Sequence, residues 1–257
     1  MSRYTVVSTV FLVVFLGSLS LDGVWNFSLY WYMSLVVVYL LLNVYGSAVL
    51  SAQYFVPART RAQVSTQSIA LTFDDGPVSG HTERILDILK RYDVPAAFFC
   101  IGHRVKENPL IIQRIHAEGH VIGNHSYTHK KTFDLLSAGS VAKELAETNA
   151  IIRECIGLSP KLFRPPFGVT NPMIAKAVAR KNLAVIGWSI RSLDSIMQDR
   201  TKLLKRVTRS LKGGDVILFH DYSEAAIAIL PDVIDHISRL GLKIERVDRL
   251  LNERAYA

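Results

Sequence analysis

Four short segments carry side chains whose types and spacing suit hydrolytic chemistry. The first is Thr72-Phe73-Asp74-Asp75-Gly76-Pro77, where two adjacent carboxylates precede a turn that Gly and Pro enforce. One aspartate of such a pair can bind a cation while its neighbour accepts a proton. The plainer alternative is a solvated Asp74 beside an Asp75 that only bonds the turn's amides. The second segment is His125-Ser126-Tyr127-Thr128-His129, two imidazoles four residues apart that would share one face of a helical turn and suit two ligands on one cation. The third, Arg164-Pro165-Pro166-Phe167-Gly168, is rigid and short of backbone donors, and would hold one guanidinium beside a carboxylate. The fourth, Leu218-Phe219-His220-Asp221, ends an apolar run with an imidazole placed as a general acid whose pKa a nearby carboxylate would raise, unless the His-Asp pair merely caps the strand. His81, His103, His116, His120 and His236 lack such spacing and read as surface or core residues.

The elements that must position these side chains follow from periodicity. Short apolar runs at 69–73, 96–101, 120–123, 183–188, 216–219 and 242–247 read as strands. Between them, segments of helical period fall at 82–91, 109–118, 140–156, 171–181, 199–212 and 224–240. This alternation predicts parallel strands with crossover helices, hence an α/β fold of the (β/α) barrel type with missing or distorted units. In such a barrel reactive groups gather at the C-terminal strand ends, where the four segments lie.

The N-terminal fifth is different. Before Arg59 the only charged residues are Arg3 and Asp22. They cancel, so the chain's whole net charge of +8 belongs to residues 59–257. A helix needs about 20 apolar residues to cross a bilayer, and the sequence predicts helices near 4–21 and 28–50. Trp25, Phe27, Tyr30, Trp31 and Tyr32 open the second, as headgroup-level aromatics do. The first segment also fits a secretory signal, with Ser18-Leu19-Ser20 as small residues for cleavage. Residues 1–58 are thus expected to be an anchor in membrane lipid, 59–67 a polar linker, and 68–257 the catalytic domain.

The positive charge suits anionic lipids or acidic wall polymers. Its basic residues are scattered without a binding motif, which argues against nucleic acid. Cys100 and Cys155 are the only cysteines and have no CxxC spacing, so they read as small hydrophobes.

Taken together and in this order, the four segments resemble the NodB-homology polysaccharide deacetylases, carbohydrate esterases on a distorted β/α barrel. The resemblance spans residues 68–247. It implies that Asp75, His125 and His129 hold one divalent cation, usually zinc, with cobalt, manganese or nickel also acceptable to such a donor set. It further implies Asp74 as general base, His220 as general acid, Arg164 orienting Asp74 and Asp194 tuning His220. A backbone amide near Phe167 would meet the oxyanion, and Leu218 would line the acetyl pocket. The match departs around Trp188-Ser189-Ile190-Arg191-Ser192-Leu193-Asp194-Ser195, where relatives often carry Asp in place of Arg191 and Trp in place of Ser195. Trp188 remains as a pocket residue, and Arg191 is placed to meet an acidic group of the substrate.

The resemblance implies removal of acetyl groups from N-acetylglucosamine units of peptidoglycan or chitin-like oligomers. Two alternatives remain: a deacetylase or deformylase of a lipid-linked amino sugar, and a non-catalytic glycan-binding module, which the complete acid-base-metal set disfavours. Two spans put the domain on the same side as Arg3, and Arg59 and Arg61 favour the cytoplasm. Wall glycan lies across the membrane, so either the first segment is cleaved or does not span, the N-terminus is outside, or the substrate is a cytoplasmic-face precursor.

Overall fold

A computed structural model describes residues 2–257; Met1, the first residue of the expected anchor, lies outside them. The chain begins with two long helices, α1 (Arg3–Trp25) and α2 (Leu29–Ala48). At 1.5 Å per residue they are about 35 and 30 Å long, enough to cross a bilayer's hydrocarbon. Both are apolar on nearly every face and expose most of their side chains. They form a hairpin: Phe11 stacks on Tyr39, and Trp31 Nε1 donates to Ser18 Oγ at 3.0 Å. The hairpin returns both outer ends to the domain, where Arg3 Nη1 donates to the Ala52 carbonyl and the Tyr4 amide to that of Tyr54.

The rest is a single parallel sheet wrapped by helices. Its strands are β1 (Ala58–Arg59), β2 (Ser68–Asp74), β3 (Ala97–Cys100), β4 (Val121–Asn124), β5 (Leu162–Phe163), β6 (Ala184–Ile186), β7 (Ile190–Arg191), β8 (Val216–His220) and β9 (Lys243–Ile244). They run in the order β1-β6-β5-β4-β3-β2-β8-β7, with β9 beside β2. Because β6 and β7 follow one another in the chain yet pair with β5 and β8 respectively, residues 184–191 curl the sheet toward a ring. This is the expected β/α barrel, distorted and incompletely hydrogen-bonded.

Period-two alternation decides which side chains face inward. Along β2, Ile69, Leu71 and Phe73 pack outward against α3 (Thr82–Tyr92) and α9 (Glu224–Arg239). Ala70, Thr72 and Asp74 are left pointing inward. Along β8, Ile217 and Phe219 join the outer layer, so Val216, Leu218 and His220 face in. The register sets Asp74 directly beside His220.

Several elements have no periodic signature in the sequence. β1, β5 and β7 have two residues each, too short for any pattern. A short helix, α4 (Gly102–Glu107), precedes the expected α5 (Pro109–Ala117), and α6 (Ala138–Ile156) and α7 (Pro172–Lys181) fall as expected. The helix expected at 199–212 is shorter, α8 (Arg200–Thr208), and the strand expected at 242–247 is present but reduced to β9 (Lys243–Ile244), with α10 (Val247–Leu250) beginning at its expected end. Segment 59–67, expected as a linker, is built into the barrel. Arg59 lies in β1, Arg61 pairs with the buried Asp215 at 2.6 Å, and the Ala62 amide donates to Gly214.

Candidate functional site

At the C-terminal end of β2 the chain turns sharply, with Asp75 at φ 75°. Asp74 therefore stays inside the ring while Asp75 swings over its rim. Arg104 of α4 donates to the Asp75 carbonyl at 2.6 Å and fixes this turn. After β4, His125 and His129 approach Asp75, each placing Nε2 3.3 Å from Asp75 Oδ1.

The histidines do not share a helical turn, as their spacing suggested. Ser126 and His129 both have positive φ, and Glu144 of α6 accepts the amides of Tyr127 and Thr128 and the Thr128 hydroxyl. These donors are thereby taken out of helical bonding, and the loop folds back so that both imidazoles face one point. Glu144 was invisible as a functional residue because its partners lie 16 and 17 positions away in a different element.

Arg164, just past β5, is fully buried in the barrel. It donates to Asp74 Oδ1 at 2.7 Å, to Thr72 Oγ1 at 2.9 Å, and to the carbonyls of Ile186 and Gly187 at 3.1 and 2.8 Å. Its guanidinium lies 4.1 Å over the Phe99 ring. Phe99 has room only because position 123 is glycine; a Cβ there would collide with its ring. Four hydrogen bonds and a π face satisfy a charge that burial would otherwise make costly. Arg164 also offers its carbonyl to His125 Nδ1 at 2.7 Å, which leaves Nε2 as the lone-pair nitrogen toward Asp75.

Across the ring, Asp194 grips His220 twice, with Oδ1 2.8 Å from Nδ1 and Oδ2 2.8 Å from the backbone amide. Ser192 donates to the same carboxylate at 2.6 Å. Burial works against an imidazolium at His220, but the hydrogen bond and charge of Asp194, with the charges of Asp74 and Asp75, outweigh it and raise the pKa. Burial likewise opposes charge on Asp75, yet His125 and His129 hold its carboxyl well below the usual range. His129 is pushed down to about 4, first by burial and then by His125, so its ring is neutral at pH 7. Burial also disfavours a cation at His125, but the charges of Asp74 and Asp75 turn the balance and raise it. The negative potential concentrated at that Nε2 draws a proton, or a cation in its place. Asp221, raised to about 7 by burial, is held by the Thr82 hydroxyl at 2.8 Å and fills the space beside Gly76.

These groups line one cavity of about 180 Å³. Asp74, Asp75, His125, His129 and His220 stand on its floor; Phe167, Trp188, Leu218 and Arg191 form its walls. Arg164 and Asp194 stand behind, touching it through Asp74 and His220. Ser195 and Tyr222 also line it; Tyr222 could have been suspected from its place two residues after His220. A larger cleft of about 780 Å³ under residues 55–59 and α7 has no comparable cluster of carboxylates and imidazoles.

Asp75 Oδ1 is buried and has no hydrogen-bond donor. Together with one ligand atom from each histidine, all within 4.8 Å of one another, it makes a donor set of the kind that three-ligand catalytic zinc sites use. The residues fit a divalent cation.

A parallel barrel that gathers a carboxylate–imidazole cluster at its C-terminal strand ends has the layout of a metal-assisted hydrolase. Residues 61–186 match the polysaccharide deacetylase family. A peptidoglycan-N-acetylglucosamine deacetylase of Bacillus cereus is 36% identical over 185 residues, covering 68% of this chain and 67% of the relative. The peptidoglycan-N-acetylglucosamine deacetylase PgdA of Listeria monocytogenes is 32% identical over 77% of this chain, which spans only 42% of that protein's length. Among solved structures, the Bc1960 peptidoglycan N-acetylglucosamine deacetylase superposes with a TM-score of 0.74 at 27% identity, covering 78% of this chain and 95% of that one. A CE4 family pseudoenzyme from Bacillus anthracis gives 0.72 at 28% identity, covering 77% and 70%. The chain belongs to the polysaccharide deacetylase family.

Proposed function

We propose that this chain is a membrane-anchored, metal-dependent hydrolase that removes acetyl groups from N-acetylglucosamine-type sugars, the class named for its relatives. Because the fold also serves a pseudoenzyme, the reading rests on the residues. The observation that carries it is the convergence of three differently prepared groups on one cavity: Asp74 held by Arg164, the orphaned Asp75 oxygen with two imidazoles, and His220 held by Asp194.

Asp75, His125 and His129 would hold the cation, with zinc as the first choice for this donor set. When bound, a divalent cation supplies Lewis acidity toward an acyl oxygen and a water molecule. Asp74, held in place by the Arg164 guanidinium at 2.7 Å, accepts the proton of the attacking water. As the C–O bond forms, the Phe167 amide donates to the developing oxyanion. His220, held protonated by Asp194, delivers its proton to the amine nitrogen as the C–N bond breaks, releasing acetate and a free amino sugar. Leu218 and Trp188 give the acetyl methyl an apolar seat.

The test is acetate release from N-acetylglucosamine oligomers by the full chain in detergent. The parent protein should release acetate, and Asp74→Asn should release almost none. Equal rates in both would overturn the assignment.

A further inference from the structure

The end of α2 touches the rim of the cavity. Ser47, in its last turn, donates its hydroxyl to the Thr170 carbonyl at 2.7 Å and accepts the Thr170 amide at 3.1 Å. Three residues on, Leu50 packs against Gly187, where any side chain would collide with it. Thr170 is three residues from Phe167, and Gly187 is the residue whose carbonyl anchors Arg164 and precedes Trp188. The cavity mouth is therefore fixed within a few residues of the point where the helical hairpin ends.

The surface around that contact is apolar and basic. Leu135, Phe167 and Met173 are 78%, 50% and 44% exposed. Asn171 Nδ2 donates to the Asp134 carbonyl, which holds Leu135 beside the Thr170 loop. Lys130 and Lys131, next to His129, are exposed, and so is Arg191, whose guanidinium lies 5.8 Å over Trp188 at the cavity wall. Among the described residues no carboxylate pairs with any of these three cations. Exposed apolar side chains interspersed with free cations, continuous with a pair of membrane-length helices, suit an anionic bilayer surface.

The flanking charges agree. Arg3, Arg59 and Arg61 all lie at the domain end of the hairpin, and residues 26–28 at its turn carry none. The bias sets that end on the cytoplasmic face, where a cross-linked wall polymer is absent.

We infer that the substrate is an amino sugar carried on a membrane lipid through a phosphate or pyrophosphate link, presented to the cavity from the bilayer. The inference rests on the deacetylase reading and narrows its substrate. Leu135, Phe167 and Met173 settle into the interface, Lys130 and Lys131 meet lipid headgroups, and Arg191 faces the phosphate of the carrier. Arginine suits that task because its planar fork matches phosphate oxygens.

The full chain, reconstituted in vesicles, is offered three substrates. They are N-acetylglucosamine linked by pyrophosphate to a polyprenyl chain, the same sugar pyrophosphate on a water-soluble group, and a soluble N-acetylglucosamine tetramer. The expected kcat/KM for acetate release is at least tenfold higher with the polyprenyl substrate than with either soluble one. The double variant Leu135→Asn, Met173→Asn should lower that preference severalfold, and Arg191→Ala should raise KM more for the two pyrophosphates than for the tetramer. Equal or faster hydrolysis of the tetramer overturns the lipid-carried substrate and leaves the deacetylase reading standing. A soluble pyrophosphate as good as the lipid-linked one overturns the membrane presentation. No acetate from any substrate overturns the deacetylase reading itself.

Discussion

The cavity has a floor where Asp74 and His125 are buried and tied to Arg164 behind them, and a wall where Arg191 stands exposed over Trp188 with no carboxylate partner among the described residues. At the floor, Asp75 Oδ1 is buried with no hydrogen-bond donor among the described residues, and it marks where a ligand belongs. On the wall, the polar group is free to meet whatever the substrate brings.

The contrast can be broken from its strongest side first. Asp74→Asn removes the base without changing size, and should lower kcat by about 10³-fold or more while metal content stays at the parent's level. A modest fall, under tenfold, would move the base elsewhere. Arg164→Leu leaves Asp74 buried and unpaired, and should cost about 3–5 kcal/mol, seen as a drop of roughly 10 °C in thermal midpoint. An unchanged midpoint would mean that the pair is dispensable to the fold.

Asp194→Asn tests the acid. Since Asp194 raises the pKa of His220, its loss should shift the alkaline limb of the kcat–pH profile toward lower pH, with kcat reduced up to about 10²-fold. A limb that stays put would assign that titration to another group.

Away from the site, His120 accepts the Ala96 amide with Nδ1 at 3.2 Å and is pushed down to about 4, chiefly by burial. The folded state thus binds its proton less readily than the unfolded chain. The stabilising effect of the neutral ring is complete above about 6.5 and is lost as pH falls toward 4, a change of about 3 kcal/mol. The fall in stability between pH 7 and 4.5 should be smaller in His120→Gln than in the parent, and parallel curves would refute this. The smallest effect belongs to the recognition wall: Arg191→Ala should change kcat/KM about tenfold, mainly through KM, and a fall in kcat alone would place Arg191 in the chemistry.

What could be read from the sequence followed the same division. Asp74, Asp75, His125, His129, Arg164 and His220 stand at or just past strand ends in short runs whose composition already limits their chemistry, and the structure brings five of them to one cavity with Arg164 behind Asp74. The barrel was legible wherever strands were long enough to alternate, as in β2 and β8. β1, β5 and β7 were not, because two residues carry no period, and their pairing is decided by neighbours far away in the chain. For the same reason residues 59–67 looked like a linker, although Arg61 pairs with Asp215. The contact between Ser47 and Thr170 joins residues 123 positions apart, a separation across which composition and spacing are silent.

The central claim is that Asp75, His125 and His129 form a cation site on which acetate release depends. Metal content and acetate release measured together in the full chain, before chelation, after chelation and after adding back zinc, test it most directly. The expected result is about one divalent ion per chain, lost along with activity on chelation and regained with it, and absent from His125→Ala throughout. Full acetate release from chelated, metal-free protein would contradict the account.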